Sequence, residues 1–332
     1  MKVGLLAPSK KFDQFFDAFI SFCSTRDDIR LLTLDYESFG RGDQPAHDLV
    51  CVFHKLSDDV AAILGDEEAC RSTERVNFLK ALEARGVVLF ESLDGLKKTS
   101  SRSLMLTTIN AAFEDWTPEP GYSASTPPAW LARQGASVRC LSRGVVEGHE
   151  AWRYILKTEV ACGSSRTHEM LISSSWDTAL RATADSGRLW ILQKCVDDTN
   201  PAQGVLFKVY CAGGNLNIRV VDTTWMEERL RMDGTSSFMS HNKSLFASSP
   251  RAEAVLKNCT ENPAFLRAVK SVAARVQAAF NLCLVGFDFL LGGEDGGCIQ
   301  VVDVNYFPSY TGWDSVHECV VKMLLDRCDG LR

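Results

Sequence analysis

The sequence predicts an α/β chain that opens with a parallel-sheet domain and continues as α+β. Three observations carry that prediction. In the first hundred residues short apolar runs of strand character alternate with helical stretches, the order that builds a parallel sheet with crossover helices. From about residue 137 strands dominate. Near the C-terminus a long amphipathic helix is followed by two apolar strands joined by the turn GGEDGG.

Taken in order, KVGLLA (2–7), RLLTLD (30–35), DLVCVF (48–53) and GVVLFE (86–91) are the first strands, with helices over 11–24 and 72–85. Ligands of such sheets collect beyond the carboxyl ends of the strands. Two basic pairs stand there: Lys10 and Lys11 after the first strand, His54 and Lys55 after the third. Each pair, taken alone, reads equally well as solvated loop charge. KKTSSRS (97–103) precedes an apolar helix, and TPEPGYSASTPP (117–128) is a linker or an ordered loop. Strands follow over 150–160, 188–196, 204–213 and 216–225. The polar stretch 226–262 has few apolar anchors and is expected to be a long surface loop. Over 264–280, Phe265, Leu266, Val269, Val272, Ala273, Val276 and Phe280 form a stripe with the helical period. A short helix closes the chain.

Composition bounds the function. The chain is 45% hydrophobic and 23% charged, with a net charge of −6, an ordinary globular balance. A global basic footprint for nucleic acid is absent, and no apolar run reaches the length of a membrane span. Twelve cysteines include no Cys-x-x-Cys pair, and six histidines are scattered, so a zinc site is not indicated. Cys51, Cys211 and Cys283 lie inside apolar runs and read as small buried hydrophobes, which suits a reducing compartment. The expectation is a cytoplasmic monomer without nucleic-acid or membrane partners.

Three stretches carry chemistry. In CIQVVDVNYFPSY (298–310), Asp303 and Asn305 are two apart on a strand and share a face. Alone, they read as a strand end turning through Asn and Pro308. Asp295-Gly296 is a strong turn signal. Counting outward from it sets Glu294 opposite Gly297, Leu290 opposite Val301 and Asp288 opposite Asp303. Facing carboxylates repel, and burial makes that worse. Mg²⁺ relieves it, taking carboxylate oxygens, waters and substrate phosphates. In KTEVACGSSRTHEM (157–170) a strand bearing Lys157 enters a small-residue loop and then reaches His168. Such a loop lets backbone N–H groups approach an anion, although no Walker A pattern occurs. In LQKCVDDTNPAQGVLFKVY (192–210), Lys208 sits inside an apolar strand. It wants an anionic partner or faces water on an edge strand. Cationic clamps, a small-residue loop and a carboxylate pair together suggest phosphoryl transfer. No GxSxG nucleophile motif is present.

The motifs HKLSD, KTEVACGSSRTHEM, GVLFKVY, SHNKS, GFDFLL and VVDVNYFPSY, in order within residues 3 to 313, resemble the inositol 1,3,4-trisphosphate 5/6-kinase family, also called inositol-tetrakisphosphate 1-kinase. The resemblance implies an ATP-grasp fold in three parts. These are a substrate-binding α/β domain (1–97), a central domain (98–196) and a C-terminal domain with the metal hairpin (197–332), the last two clasping ATP. It implies ATP as cosubstrate, two Mg²⁺ ions, and transfer of the γ-phosphate to the 1-, 5- or 6-hydroxyl of an inositol polyphosphate. Lys11, Lys55, His168, Lys208, Arg219 and Asn305 would meet the substrate. Arg102, Lys157, Gln193, Lys208, Thr223, Ser240 and Ser244 would meet ATP. Asp288, Asp303 and Asn305 would hold the metal, and Asp288, Lys208 and His168 would serve catalysis. The chain departs from its relatives at Cys162, where they often carry His, and at Ser309, where FPSY replaces FPGY. Arg219 stands about two residues from their arginine. An ATP-grasp carboxylate–amine ligase and a non-catalytic inositol phosphate sensor are the rival readings.

Overall fold

The computed structural model describes residues 1–39, 48–65, 69–133, 137–141, 152–163, 165–184, 187–195, 202, 204–230, 234–240, 244–245, 247–293 and 295–329. Its strands, in chain order, are β1 (Lys2–Leu6), β2 (Arg30–Thr33), β3 (Cys51–His54), β4 (Val88–Leu89), β5 (Ser123–Ser125), β6 (Ala129–Arg133), β7 (Ser137–Cys140), β8 (Tyr154–Thr158), β9 (Glu169–Ser173), β10 (Leu189–Lys194), β11 (Val205–Ala212), β12 (Asn215–Asp222), β13 (Thr235–Met239), β14 (Leu284–Gly292) and β15 (Cys298–Tyr306).

They form three sheets. The first is wholly parallel, in the order β2-β1-β3-β4. It has the expected crossovers: helical turns run from Ser9 to Cys23, and a helix spans Cys70–Ala84. A further helix, Ser57–Gly65, lies where the basic pair after β3 suggested only loop. Ser57-Asp58-Asp59 at its start is a helix-opening sequence, with acidic side chains in the positive first turn.

The second sheet is antiparallel, in the order β13-β9-β8-β10-β6-β7. The third runs β12-β11-β14-β15-β5, with only the β15–β5 pair parallel. Two strands pair across the sequence-based division between 196 and 197: β5 joins the third sheet and β13 the second. The stretch 117–128 is thus an ordered connection. The surface-loop expectation for 226–262 is corrected. That region holds a helix (Thr224–Leu230), β13 and a helix (Pro250–Thr260). The last of these starts on Ser249, whose hydroxyl accepts from the Ala252 N–H, followed by Pro250 at the first helical position, the favoured opening of a helix.

The helix Pro263–Phe280 buries the predicted stripe, Leu266 excepted, which is half-buried. Phe265 packs on Phe207, and Phe207 stacks on Phe289 at 4.8 Å between ring centroids. Alternation along β11 and β14 therefore turns Lys208 and Asp288 to the opposite face. One continuous core joins the first sheet to the third, while the second sheet has small cores of its own around Trp130, Tyr154 and Trp190 and around Ile172 and Phe238. Phe307, just beyond β15, enters the N-terminal core against Phe15 at 4.9 Å and Phe53 at 5.2 Å. The end of the hairpin is thereby fastened to the first domain.

Candidate active site

The site is built on one row of the third sheet. Antiparallel registers set Arg219 on β12 opposite Lys208 on β11, Lys208 opposite Asp288 on β14, and Asp288 opposite Asp303 on β15. The facing carboxylates are present, but the count that led to them is corrected near the turn. Leu290 faces Gln300, not Val301, and a bulge between Asp288 and Phe289 on the ladder restores the Asp288–Asp303 pairing. The extra residue is Val302. Its carbonyl accepts from Lys157 Nζ at 2.8 Å, so a residue with no ladder partner becomes the anchor for a cation from the second sheet.

Each charge has a traceable environment. Burial pushes the Asp288 carboxyl above its ordinary range, and the neighbouring Asp303 adds to this. Lys208 Nζ lies 2.5 Å from Asp288 Oδ2. Burial alone would lower the ammonium, but the attraction and hydrogen bond of Asp288 outweigh it and the net shift is upward. Asn305 Nδ2 donates to Asp303 Oδ2 at 3.2 Å. Lys157 also donates to Gln193 Oε1 at 2.8 Å, and burial lowers it to about 8. Arg102 opens the helix Arg102–Phe113, whose Ser101 cap accepts from the Leu104 N–H. Its Nη1 donates to the carbonyls of Thr158 and Val160. Arg102 Nε and Gln193 Nε2 are buried donors without a protein partner.

Two cavities meet at this row. The first, about 320 Å³, lies between the second and third sheets. Ile155, Met170, Leu206, Met226, Phe238 and Leu290 form its apolar wall. Arg102, Lys157, Gln193, Thr223, Ser240 and the three residues Asp288, Asp303 and Asn305 supply its polar groups. An apolar slot with a few convergent polar groups suits a flat base carrying phosphates. The second cavity, about 480 Å³, is walled by Lys10, Lys11 and Lys55 from the N-terminal domain, by Cys162 and Gly163, and by Ser309. His168, Lys208, Asp288 and Asn305 line both. Lys55 donates to the Tyr306 carbonyl at 2.5 Å and lies 4.5 Å from the Tyr306 ring centroid. Burial, with Lys11 nearby, lowers it to about 7. Lys11 Nζ donates to Gln14 Oε1 at 2.9 Å and is lowered by burial and by Lys10. Ser240 Oγ lies 3.4 Å from His168 Nδ1.

Of the sequence-based candidates, Ser244 is exposed in a turn and lines neither cavity. Arg219 lines neither of these two and borders a third. The segment 196–201 with residue 203, Ser164, and residues 241–243 of SHNKS lie outside the described residues. Sequence reasoning missed Ser57, Asp58 and Tyr210. Tyr210 was within reach, being two residues from Lys208 on the same strand face, whereas Ser57 and Asp58 sit on the unforeseen helix. Cys162 takes the wall position where relatives often place His. Its thiol donates to the Ser57 carbonyl at 3.2 Å, and burial pushes its pKa up.

The family model of the inositol 1,3,4-trisphosphate 5/6-kinase ATP-grasp domain matches residues 128–326. The chain belongs to this family. It is an ATP-grasp protein, a fold that binds ATP, of the ATP-dependent ligase or kinase kind. No curated protein matches the sequence. Among solved structures it is similar in fold to the D-cycloserine synthetase DcsG (13% identity, TM-score 0.54, covering 99% of this chain and 100% of that one). It is similar likewise to D-alanyl-alanine synthetase A from Vibrio cholerae (11%, 0.55, 99% and 98%). A RimK domain ATP-grasp protein from Sphaerobacter thermophilus is a third (14%, 0.55, 98% and 100%).

ATP-grasp enzymes use Mg²⁺ in general, and the donors fit it. Two carboxylates and an amide are hard oxygen ligands. Among the described residues no group of three His, Cys, Asp or Glu could hold an ion unaided, so phosphate oxygens of ATP would complete the shell.

Proposed function

We propose that the chain is an ATP- and Mg²⁺-dependent inositol polyphosphate kinase. The observation that carries this reading is the meeting of an apolar, nucleotide-sized cavity and a lysine-rich cavity at Lys208, Asp288, Asn305 and His168. Gln193 and the apolar wall hold adenine, with Thr223 and Ser240 at the nucleotide. Arg102 and Lys157 hold the phosphates, and the two unpartnered buried donors support that role. Asp288, Asp303 and Asn305 would hold two Mg²⁺ ions, which neutralise the charge of the transferring group. Lys11, Lys55, His168 and Lys208 receive the ring phosphates and aim one hydroxyl in line with the γ-phosphorus. The hydroxyl oxygen forms the new P–O bond as the bond to the bridging oxygen of ADP breaks. A loose transition state of this kind asks little of a base, and Asp288 is the carboxyl nearest in chemistry.

Two of the solved neighbours are named as synthetases, so a carboxylate–amine ligase is the second reading. Four lysines line the acceptor cavity; Lys10 and Lys208 are paired with Asp58 and Asp288, at 2.6 and 2.5 Å, while Lys11 and Lys55 make no ion pair among the described residues. That favours a phosphate-rich acceptor over an amino acid. The paired carboxylates of the metal row count against a sensor without turnover. The buried thiols Cys23, Cys51 and Cys211 support a reducing, cytoplasmic setting, and a monomer is the simplest state. Among the described residues no helix is long and apolar enough to cross a membrane.

The test is incubation with labelled ATP, Mg²⁺ and inositol tris- to hexakisphosphates, beside amino acids. Label on the ring supports the kinase; ADP release only with an acid plus an amine supports the ligase. Asp303→Ala is expected to lower kcat on the order of 10³-fold, and near-normal turnover would remove the metal assignment.

A further inference from the structure

The helix Arg102–Phe113 opens, like any helix, with N–H groups that have no partner inside it. Two of its first three are answered by one residue outside the helix, Glu159. The Arg102 N–H donates to the Glu159 carbonyl at 2.8 Å, and the Ser103 N–H donates to Glu159 Oε2 at 3.0 Å. The third, on Leu104, donates to the Ser101 hydroxyl at 3.3 Å. Ser101 and Ser103 in turn donate their hydroxyl protons to Glu159 Oε1, at 2.5 and 2.6 Å. A carboxylate at the positive end of a helix, accepting three hydrogen bonds, is a strong clamp. A bridge between Ser101 and Val160 completes it, with the Ala161 N–H donating to the Ser100 carbonyl at 2.9 Å.

The residue inside this clamp is Arg102. Its Nη1 donates to the carbonyls that flank Glu159, those of Thr158 and Val160, at 2.5 and 3.1 Å. Its backbone and its guanidinium are therefore tied to the same short strand end. Arg102 is 3% exposed and lines the nucleotide cavity, and its Nε has no protein partner. Among the described residues it makes no ion pair. Glu159 is spent on the two serines and the helix start, not on the guanidinium. A buried guanidinium left uncompensated calls for an anion. Glu159 itself lines neither the nucleotide cavity nor the acceptor cavity, so any effect it has on a ligand passes through Arg102.

We infer that Glu159 is a positioning residue of the nucleotide site: by pinning the start of the helix it fixes the Arg102 guanidinium in the cavity wall with Nε left for a phosphate oxygen. This rests on the proposed contact of Arg102 with the ATP phosphates and is independent of the acceptor. The hydroxyls of Ser101 and Ser103 act as donors to Glu159, not as ligand contacts.

Calorimetric binding of ATP with Mg²⁺ and no acceptor is the test, with Tm measured for each variant. Glu159→Ala is expected to weaken ATP roughly 10-fold. Glu159→Gln keeps an acceptor for the hydroxyls but loses the charge and the second oxygen; it should weaken ATP about threefold, and it carries the test if Glu159→Ala does not fold. Arg102→Gln is expected to cost on the order of 10- to 100-fold. In that background Glu159→Ala should add less than about twofold, because the arginine it holds is gone. In turnover the loss should fall on KM for ATP, with KM for the acceptor held within about twofold. ATP binding at the wild-type level in both Glu159 variants, an undiminished loss in the Arg102→Gln background, or equal losses in both KM values would each overturn the inference. Wild-type ATP binding by Arg102→Gln would overturn the phosphate contact itself. The expected binding losses in a protein that phosphorylates no ring would overturn the kinase reading and leave the positioning role standing.

Discussion

The Asp59–Arg75 pair of the N-terminal domain and the Asp288–Lys208 pair of the third sheet are built from the same charges and finished differently. Arg75 reaches Asp59 through both Nε and Nη2, at 2.8 and 2.7 Å. The other carboxylate oxygen accepts from the Tyr36 hydroxyl, and the guanidinium lies 4.3 Å from the Tyr36 ring centroid. The side chains are 9% and 1% exposed, and every charge is answered within the domain. Lys208 and Asp288 are 26% and 14% exposed and open onto cavities. Each also has a like charge on its outer side, Arg219 beside the lysine and Asp303 beside the aspartate. A closed pair of this sort is architecture. A row with leftover cations at one end and leftover anions at the other asks for ligands of both signs.

The contrast can be broken from either side. The largest effect is expected from Asp288→Ala: a loss in kcat of about 10³-fold or more, with stability in urea changed by no more than about 1 kcal/mol, because the repulsion from Asp303 is relieved. Asp59→Ala should do the reverse. It leaves a buried guanidinium uncompensated and costs about 3–5 kcal/mol, while the folded fraction keeps turnover within a few-fold. Equal destabilisation by the two variants would erase the distinction.

A third buried charge sharpens it. Glu91 is 0% exposed and accepts from the Cys283 and Leu284 N–H groups at 2.9 and 2.6 Å, tying the N-terminal domain to the start of β14. Burial raises its carboxyl from 4.5 to about 7. The folded pKa is the higher one, so its contribution is fully present below about pH 4.5 and is lost as pH rises through 7. The stability of wild type relative to Glu91→Gln should fall across that window by on the order of 2 kcal/mol. A difference that stays flat from pH 4.5 to 7 would refute the assignment. The smallest effect is assigned to Ser244→Ala: with that side chain outside both cavities, KM for ATP should stay within about twofold, and a larger change would return Ser244 to the nucleotide.

The hairpin shows how far sequence reading reached. The Asp288–Asp303 pairing was found by counting from Asp295-Gly296, yet the pairs between were off by one residue. The residue extruded by the bulge that rescues the count, Val302, meets Lys157, which arrives from another sheet to take its carbonyl. No local pattern encodes that partner. The loop expectation for 226–262 failed for a related reason. β13 is a strand because β9 offers it an edge, whereas the Ser249-Pro250 helix start was legible and was overlooked. The helix after Lys55 was overlooked: attention to His54 and Lys55 as a basic pair passed over Ser57-Asp58-Asp59, a legible helix opening.

By itself the sequence determined the parallel opening domain, the stripe of the helix Pro263–Phe280 and the shared face of Asp303 and Asn305, because periodicity and turn chemistry act between residues a few positions apart. Tertiary structure alone decided the order of charges across four strands, the bulge at Val302 and the three cavities that share Lys208. Those depend on registers between segments far apart in the chain, and on which buried charges burial leaves without an answer.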